Sequence, residues 1–262
     1  MSVIHPTAII HKNAKLAQDV EIGPYCVVGE HVTLGEGTKL HPHVVLDGYT
    51  KVGTKNEFFP GCVVGYNGQD KKFKGEVSYL EIGSGGVFRE YVTIHRGTGE
   101  GTKTVIGNDV YFMANAHVAH NCIIGDGVTL VNGASLGGHV EVEEKAFISA
   151  YSIVHQFCRI GKMSMIGLCS PIDKDVPPFM LGVGNPFSIH YYNKVGLARA
   201  GVTEEGFKEI KQLFITAFRS GLNTEQAVER LRKEMPASSY AKGFIEFVKK
   251  SKRGIYKAKE HE

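Results

Sequence analysis

Five of the twelve histidines in this chain of 262 residues, His95, His117, His120, His139 and His155, fall within its middle third. An imidazole can take up and return a proton near neutral pH, or ligate a metal through a neutral nitrogen. Such a group therefore points to general acid–base chemistry or to a metal centre. Asp70 and Lys72 lie upstream in the charged stretch Gln69 to Glu76, Gln156 follows His155, and Asn193 and Arg199 stand further along. Taken singly, each reads as a solvated surface residue. What matters is whether the fold brings them to one place.

The elements that would do so are set by a period of six. A large apolar residue recurs at every sixth position from Ile10, Leu16 and Ile22 to Phe58 and Val64, again at Ile82, Phe88 and Ile94, and then from Ile106 and Phe112 to Ile172. Neither the helix period nor the strand period explains this spacing. Two residues before each hit stands a second, smaller position, such as Ala8, Cys26, Thr38, Ala116 or Val140. Residues two apart share one side of a strand, so each repeat predicts a short strand with a two-residue inner face. Glycine follows many of the large residues, as at Gly23, Gly35, Gly53, Gly107 and Gly125, and is expected there for a corner with backbone angles that a side chain resists. Strand and corner in alternation make a parallel β-solenoid.

The repeat resembles the hexapeptide-repeat acyltransferases. That resemblance implies coils of three strands wound left-handed, hence a mainly β fold: a left-handed parallel β-helix over 1–190 followed by a small C-terminal α-helical domain over 191–262. On three-strand coils, Val64, Ile94, Val118, Leu136 and Val154 share one face, and the residues just after them line one edge. His95, His120, His139 and His155 fall on that edge, with His117 nearby, whereas His5, His11, His31, His41, His43 and His261 show no such grouping. Two interruptions of the repeat, about 66–79 and 98–103, place Asp70, Glu76 and Glu100 where apolar residues are due. They read as loops leaving the same edge.

Composition limits the alternatives. A net charge of +3 gives no field that suggests nucleic acid. Nothing reads as a membrane span, and the repeat begins almost at Met1, which leaves no room for a signal peptide and predicts a cytoplasmic protein. Cys26, Cys62, Cys122 and Cys158 occupy the small inward position and read as buried reduced thiols. Asp175-Val176-Pro177-Pro178 marks the end of the solenoid. Beyond it, Thr203, Thr224 and Ser238 or Ser239 can each cap a helix. Outward Tyr111, Phe147, Ile153 and Met165 suggest association between copies.

The stretches Val92 to Thr98, Asn115 to His120, Gly137 to Val140, Val154 to Cys158 and Asp175 to Pro178 are similar to those of the UDP-N-acetylglucosamine O-acyltransferase family. The resemblance covers nearly the whole chain. It implies transfer of a 3-hydroxyacyl group from acyl carrier protein to position 3 of a UDP-sugar, in lipid A biosynthesis, by a homotrimer that needs no cofactor. It further implies His120 as general base and the Gly138 N–H as oxyanion donor. Asp70, Lys72, His95, His117, His139, His155 and Gln156 would then bind or position the sugar side of the substrate, and Asn193 and Arg199 the nucleotide. The basic run Lys249-Lys250-Ser251-Lys252-Arg253 is a candidate contact for the acidic carrier protein.

The chain also departs from the family pattern. Asn121 replaces a frequent acidic residue after the base, and Val195 and Ala200 replace a glutamate and an arginine. These departures leave open a 3-hydroxyl or a 3-amino acceptor. Leu168 stands where long-chain members carry glycine, which predicts a shorter acyl chain. Two rival readings use the same fold: a γ-class carbonic anhydrase-like metalloenzyme with His117, His120 and His139 on a metal, and a non-catalytic solenoid scaffold.

Overall fold

A computed structural model describes residues 2–258; His261 and the end of the C-terminal range lie outside the described residues. Strands Val3–Ile4, Ile9–Ile10 and Lys15–Leu16 make the first coil. Each pairs in parallel with the strand three further on, Val3 with Glu21, Ile9 with Val27 and Lys15 with Thr33. Repetition of this step builds three parallel sheets, the three flat faces of a prism, here called the first, second and third faces in chain order. The fold is a left-handed parallel β-helix with a small helical part at its C-terminal end.

The six-residue pattern becomes the core directly. Large inner residues such as Leu34, Leu46, Ile94, Ile124 and Leu130 are fully buried, as are smaller partners such as Val20, Cys26 and Ala116. Each large aliphatic side chain removed from water contributes about 1.5–3 kcal/mol. Inside the prism, in successive coils, Phe58 stacks on Phe88 with centroids 4.5 Å apart, and Phe88 meets Phe112 edge-on at 5.3 Å. Burial pushes the Cys62, Cys122 and Cys158 thiols up to about 12.

The corner glycines serve a different purpose from the one expected. Left-handed residues do turn the corners, but two positions after those glycines: Tyr25 follows Gly23 with φ 58°, and Asp109 follows Gly107 with φ 53°. What excludes a side chain at the glycines is the next coil. A Cβ on Gly35 would stand 2.4 Å from the Gly53 carbonyl oxygen, and one on Gly125 would stand 2.6 Å from the Glu144 nitrogen.

The first loop, 67–78, leaves the second face after Val63–Tyr66 and rejoins the third at Tyr79–Ile82. The second, 96–102, makes the same crossing from Thr93–His95 to Lys103–Ile106. Tyr66, Tyr79 and Lys103 thus belong to strands.

After the last coil, the hairpin Met180–Val183 and Ser188–Tyr192 extends the first face, and residue 190 falls inside its second strand. Among the described residues four helices follow: α1 (Lys194–Arg199), α2 (Glu204–Phe218), α3 (Thr224–Glu234) and α4 (Ser239–Lys250). The hairpin and α1 went unseen in the sequence because neither carries the period of six or a long amphipathic pattern. Thr203 and Ser238 cap α2 and α4, but α3 is capped one residue earlier than expected, by Asn223 in a reciprocal capping box with Gln226. Ile210, Leu213, Phe214, Leu231 and Phe244 form the small helical core, continuous with that of the solenoid. Asp175 is buried at the junction, where its Oδ1 accepts from the Arg159 N–H at 2.8 Å and its N–H donates to the Gly254 carbonyl.

Candidate active site

Successive coils place Val64, Ile94, Val118, Leu136 and Val154 in register on the second face. The histidines therefore descend the corner between the second and third faces. His120 sits at its centre, mostly buried. Its Nδ1 lies 2.7 Å from Asn121 Oδ1, the same oxygen that accepts from the Thr98 N–H at 2.9 Å. The Thr98 bond identifies that atom as the amide oxygen, so His120 donates through Nδ1–H and the neutral ring holds its lone pair at Nε2.

Nε2 faces the next coil and the first loop. Asp70 Oδ2 stands 4.0 Å away. A Cβ on Gly138 would lie 2.7 Å from both Cε1 and Nε2 of the ring, so only glycine fits beneath it. Gly138 is buried, and no acceptor among the described residues takes its N–H. A buried donor without a partner beside a free imidazole nitrogen is suited to meet an oxyanion.

The neighbouring rings are held in place. His139 stacks on Phe157 with centroids 4.7 Å apart and meets His120 edge-on at 5.3 Å. Partial burial, helped by the repulsion that a protonated His120 would exert and opposed by Asp70, lowers its pKa. His95 is buried, donates through Nδ1–H to the Asn67 carbonyl at 2.6 Å, and meets His117 edge-on at 5.4 Å. His117 shares a 2.8 Å hydrogen bond with Thr93 Oγ1, and burial pushes it down to about 4. His95 is lowered as well, burial again being the cause.

The other expected residues divide into those near this corner and those away from it. Asp70 is drawn into a turn by its bond to the Lys72 N–H at 2.9 Å, while the Lys72 side chain is exposed. His155 and Gln156 are exposed at the same corner one coil below His139. Asn193 and Arg199 line a groove of about 520 Å³ with Thr129, Phe147 and Met165, outward residues of the first face. That face lies opposite the corner between the other two, so one chain does not bring Asn193 and Arg199 to His120. Asn193 is itself buried with both ends of its amide engaged: Oδ1 caps α1 at the Gly196 N–H and Nδ2 donates to the Met163 carbonyl. Leu168 is 64% exposed at the corner between the first and second faces. Of the four outward residues, Tyr111, Phe147 and Met165 are half-buried and only Ile153 is openly exposed; Phe147 and Met165 line the α1 groove on the first face. In the basic run, Lys250 pairs with Glu246 and Arg253 donates to the Asp173 carbonyl.

Thr93, Asn67, Thr98 and Phe157 were not singled out in the sequence, since each acts through a residue of another coil or loop. The metal arrangement of the carbonic anhydrase-like reading is not formed. His117 is turned to Thr93 and His139 to Phe157, and among the described residues no three His, Cys, Asp or Glu side chains are grouped to hold an ion.

Residues 1–36 and 103–138 match the bacterial transferase hexapeptide (six repeats), and residues 175–256 match domain 2 of Udp N-acetylglucosamine O-acyltransferase. LpxA from Acinetobacter baumannii superposes with a TM-score of 0.93 at 40% identity, over 97% of this chain and 100% of that one. The coil geometry and the matching repeats define a hexapeptide-repeat acyltransferase. Proteins named acyl-[acyl-carrier-protein]--UDP-N-acetylglucosamine O-acyltransferase from Thermodesulfovibrio yellowstonii and Synechocystis sp. are 42% and 45% identical, over 97% and 95% of this chain and 99% and 90% of theirs. The chain belongs to the acyl-[acyl-carrier-protein]--UDP-N-acetylglucosamine O-acyltransferase family.

Proposed function

We propose that this acyltransferase moves a 3-hydroxyacyl chain from the thioester of acyl carrier protein to position 3 of UDP-N-acetylglucosamine, in lipid A biosynthesis, with His120 as general base. The observation that carries this reading is the pairing of a free Nε2 on His120 with the unpartnered N–H of Gly138 directly below it.

The chemistry follows from that pair. Nε2 takes the proton of the sugar hydroxyl as its oxygen attacks the thioester carbonyl. A C–O bond forms, and the carbonyl oxygen, now negative, accepts from the Gly138 N–H. Collapse breaks the C–S bond, and the imidazolium returns its proton to the departing sulfur. A thioester is activated already, so no serine or cysteine nucleophile is required. Asp70, carried to the ring by the first loop, and Lys72 beside it on that loop hold the sugar, with His95, His117, His139, His155 and Gln156 along the corner.

Arg199 supplies a planar donor fork suited to a diphosphate, but from the face opposite His120. One substrate can reach both only if the groove of one copy lies against the histidine corner of another, and we take the assembly to be a homotrimer with sites between subunits. No helix among the described residues is long and apolar enough to cross a membrane. A carrier protein and a nucleotide sugar are water-borne substrates, which fits a cytoplasmic reaction. Acyl-transfer assays with the His120→Ala variant test the base; undiminished turnover in that variant refutes the assignment.

A further inference from the structure

The strand Val63–Tyr66 carries an irregularity: Val64 pairs with Ile94, but Tyr66, not Gly65, pairs with His95. Gly65 is the extra residue, with φ 84°, and a Cβ there would stand 2.0 Å from Thr50 Oγ1. Such a bulge bends a strand out of its ladder and frees a backbone group. Here it turns the chain outward into the first loop and leaves the Gly65 carbonyl without its ladder partner.

Arg96, one coil further on, answers that carbonyl. Its Nη1 donates to the Gly65 oxygen at 3.1 Å, and its guanidinium carbon lies 5.4 Å from the centre of the Phe73 ring. A Cβ on Gly48 would stand 2.5 Å from the same Nη1, so Gly48 gives the guanidinium its space. Nε is buried with no partner, and no carboxylate among the described residues pairs with the group. The guanidinium is therefore held by one carbonyl and one aromatic face. Both belong to the segment that carries Asp70 and Lys72, one at its root and one just past them.

We infer that Arg96 is a positioning residue: it fastens the first loop at Gly65 and Phe73, and so sets Asp70 over His120 for the sugar. This rests on the assignment of Asp70 and Lys72 to the sugar-binding side. Lysine at 96 keeps the charge but lacks the planar fork that can donate to a carbonyl while lying on a ring.

The test joins a physical readout to a kinetic one in the full chain. Hydrogen exchange of the amides of residues 67–78, without substrate, is expected to quicken about fivefold to tenfold in Arg96→Lys and in Phe73→Ala, with little further gain in the double variant. Phe73→Tyr keeps the ring face and is expected to exchange as the parent does. With UDP-N-acetylglucosamine, Arg96→Lys is expected to raise KM by a similar factor while kcat stays within about threefold. Exchange that is unchanged in either single variant, or effects that add fully in the double variant, overturns the pin. Altered exchange with an unmoved KM overturns its link to the sugar. Because exchange is read without substrate, the pin stands or falls separately from the acceptor's identity.

Discussion

His120 and Gly138 meet so closely across adjacent coils that a Cβ on the glycine would lie 2.7 Å from the ring nitrogen Nε2. Alanine at 138 keeps the backbone N–H but forces the imidazole aside. A displacement of about 1 Å at a reacting group can cost about 10²-fold in rate, so Gly138→Ala is expected to lower kcat by that order with little change in melting temperature. Steady-state kinetics beside His120→Ala check this, and the double variant is expected to be no slower than His120→Ala alone.

Asn121 supplies a neutral acceptor where an acidic residue is frequent in the family. Its amide oxygen orients His120 without adding charge. A carboxylate at that place stabilises the imidazolium, so Asn121→Asp is expected to move the acid limb of the kcat/KM profile to higher pH by about one unit. Asn121→Ala is expected to lower kcat/KM by about tenfold to a hundredfold through loss of the orienting bond. A pH–rate profile of each variant is the check.

The geometry of this corner was legible because a solenoid turns local order into spatial order. Once Ile94, Val118, Leu136 and Val154 are known to stack, the residues after each of them must share an edge. The bonds between coils and loops were not legible. Nothing in the spacing pairs Thr98 with Asn121, or Arg96 with Phe73, because these contacts depend on the path of two irregular loops. The constraint on the corner glycines is not legible either, since a sequence does not show how closely the next coil's backbone approaches. The amide of Asn193, which the resemblance places at the nucleotide, caps α1 in this chain, a helix too short to announce itself by periodicity.

Buried histidines tie stability to pH. His117 is held down to about 4 by burial, against about 6.5 for a free side chain. The unfolded chain therefore binds a proton between those values that the folded chain refuses. Stability is complete above pH of about 6.5 and falls as the pH drops toward 4, by up to about 3 kcal/mol from this residue. Urea unfolding at neutral and acidic pH is expected to show this loss, and His117→Gln is expected to reduce it.

Leu168, 64% exposed at the corner between the first and second faces, is proposed as the residue that limits the acyl chain, on the resemblance that places glycine there in long-chain enzymes. Leu168→Gly is expected to shift preference toward longer acyl chains, read as the ratio of kcat/KM for 14-carbon and 10-carbon 3-hydroxyacyl carrier proteins. A parent enzyme that already prefers the 14-carbon donor contradicts this role for Leu168.

A site shared between copies can be rebuilt from two damaged chains. His120→Ala and Arg199→Ala impair different halves, so a mixed assembly contains some interfaces with both residues intact. Co-refolded variants are expected to exceed the activity of either alone. No gain on mixing contradicts a site shared between copies and removes Arg199 from the reaction.

The most direct test is acyl transfer by the purified protein from 3-hydroxyacyl carrier proteins to UDP-N-acetylglucosamine and to its 3-amino analogue, with His120→Ala alongside. The expected result is turnover with the 3-hydroxyl acceptor that falls by about 10²-fold to 10⁴-fold in the variant. Turnover that survives the loss of His120, or transfer only to the 3-amino sugar, contradicts it.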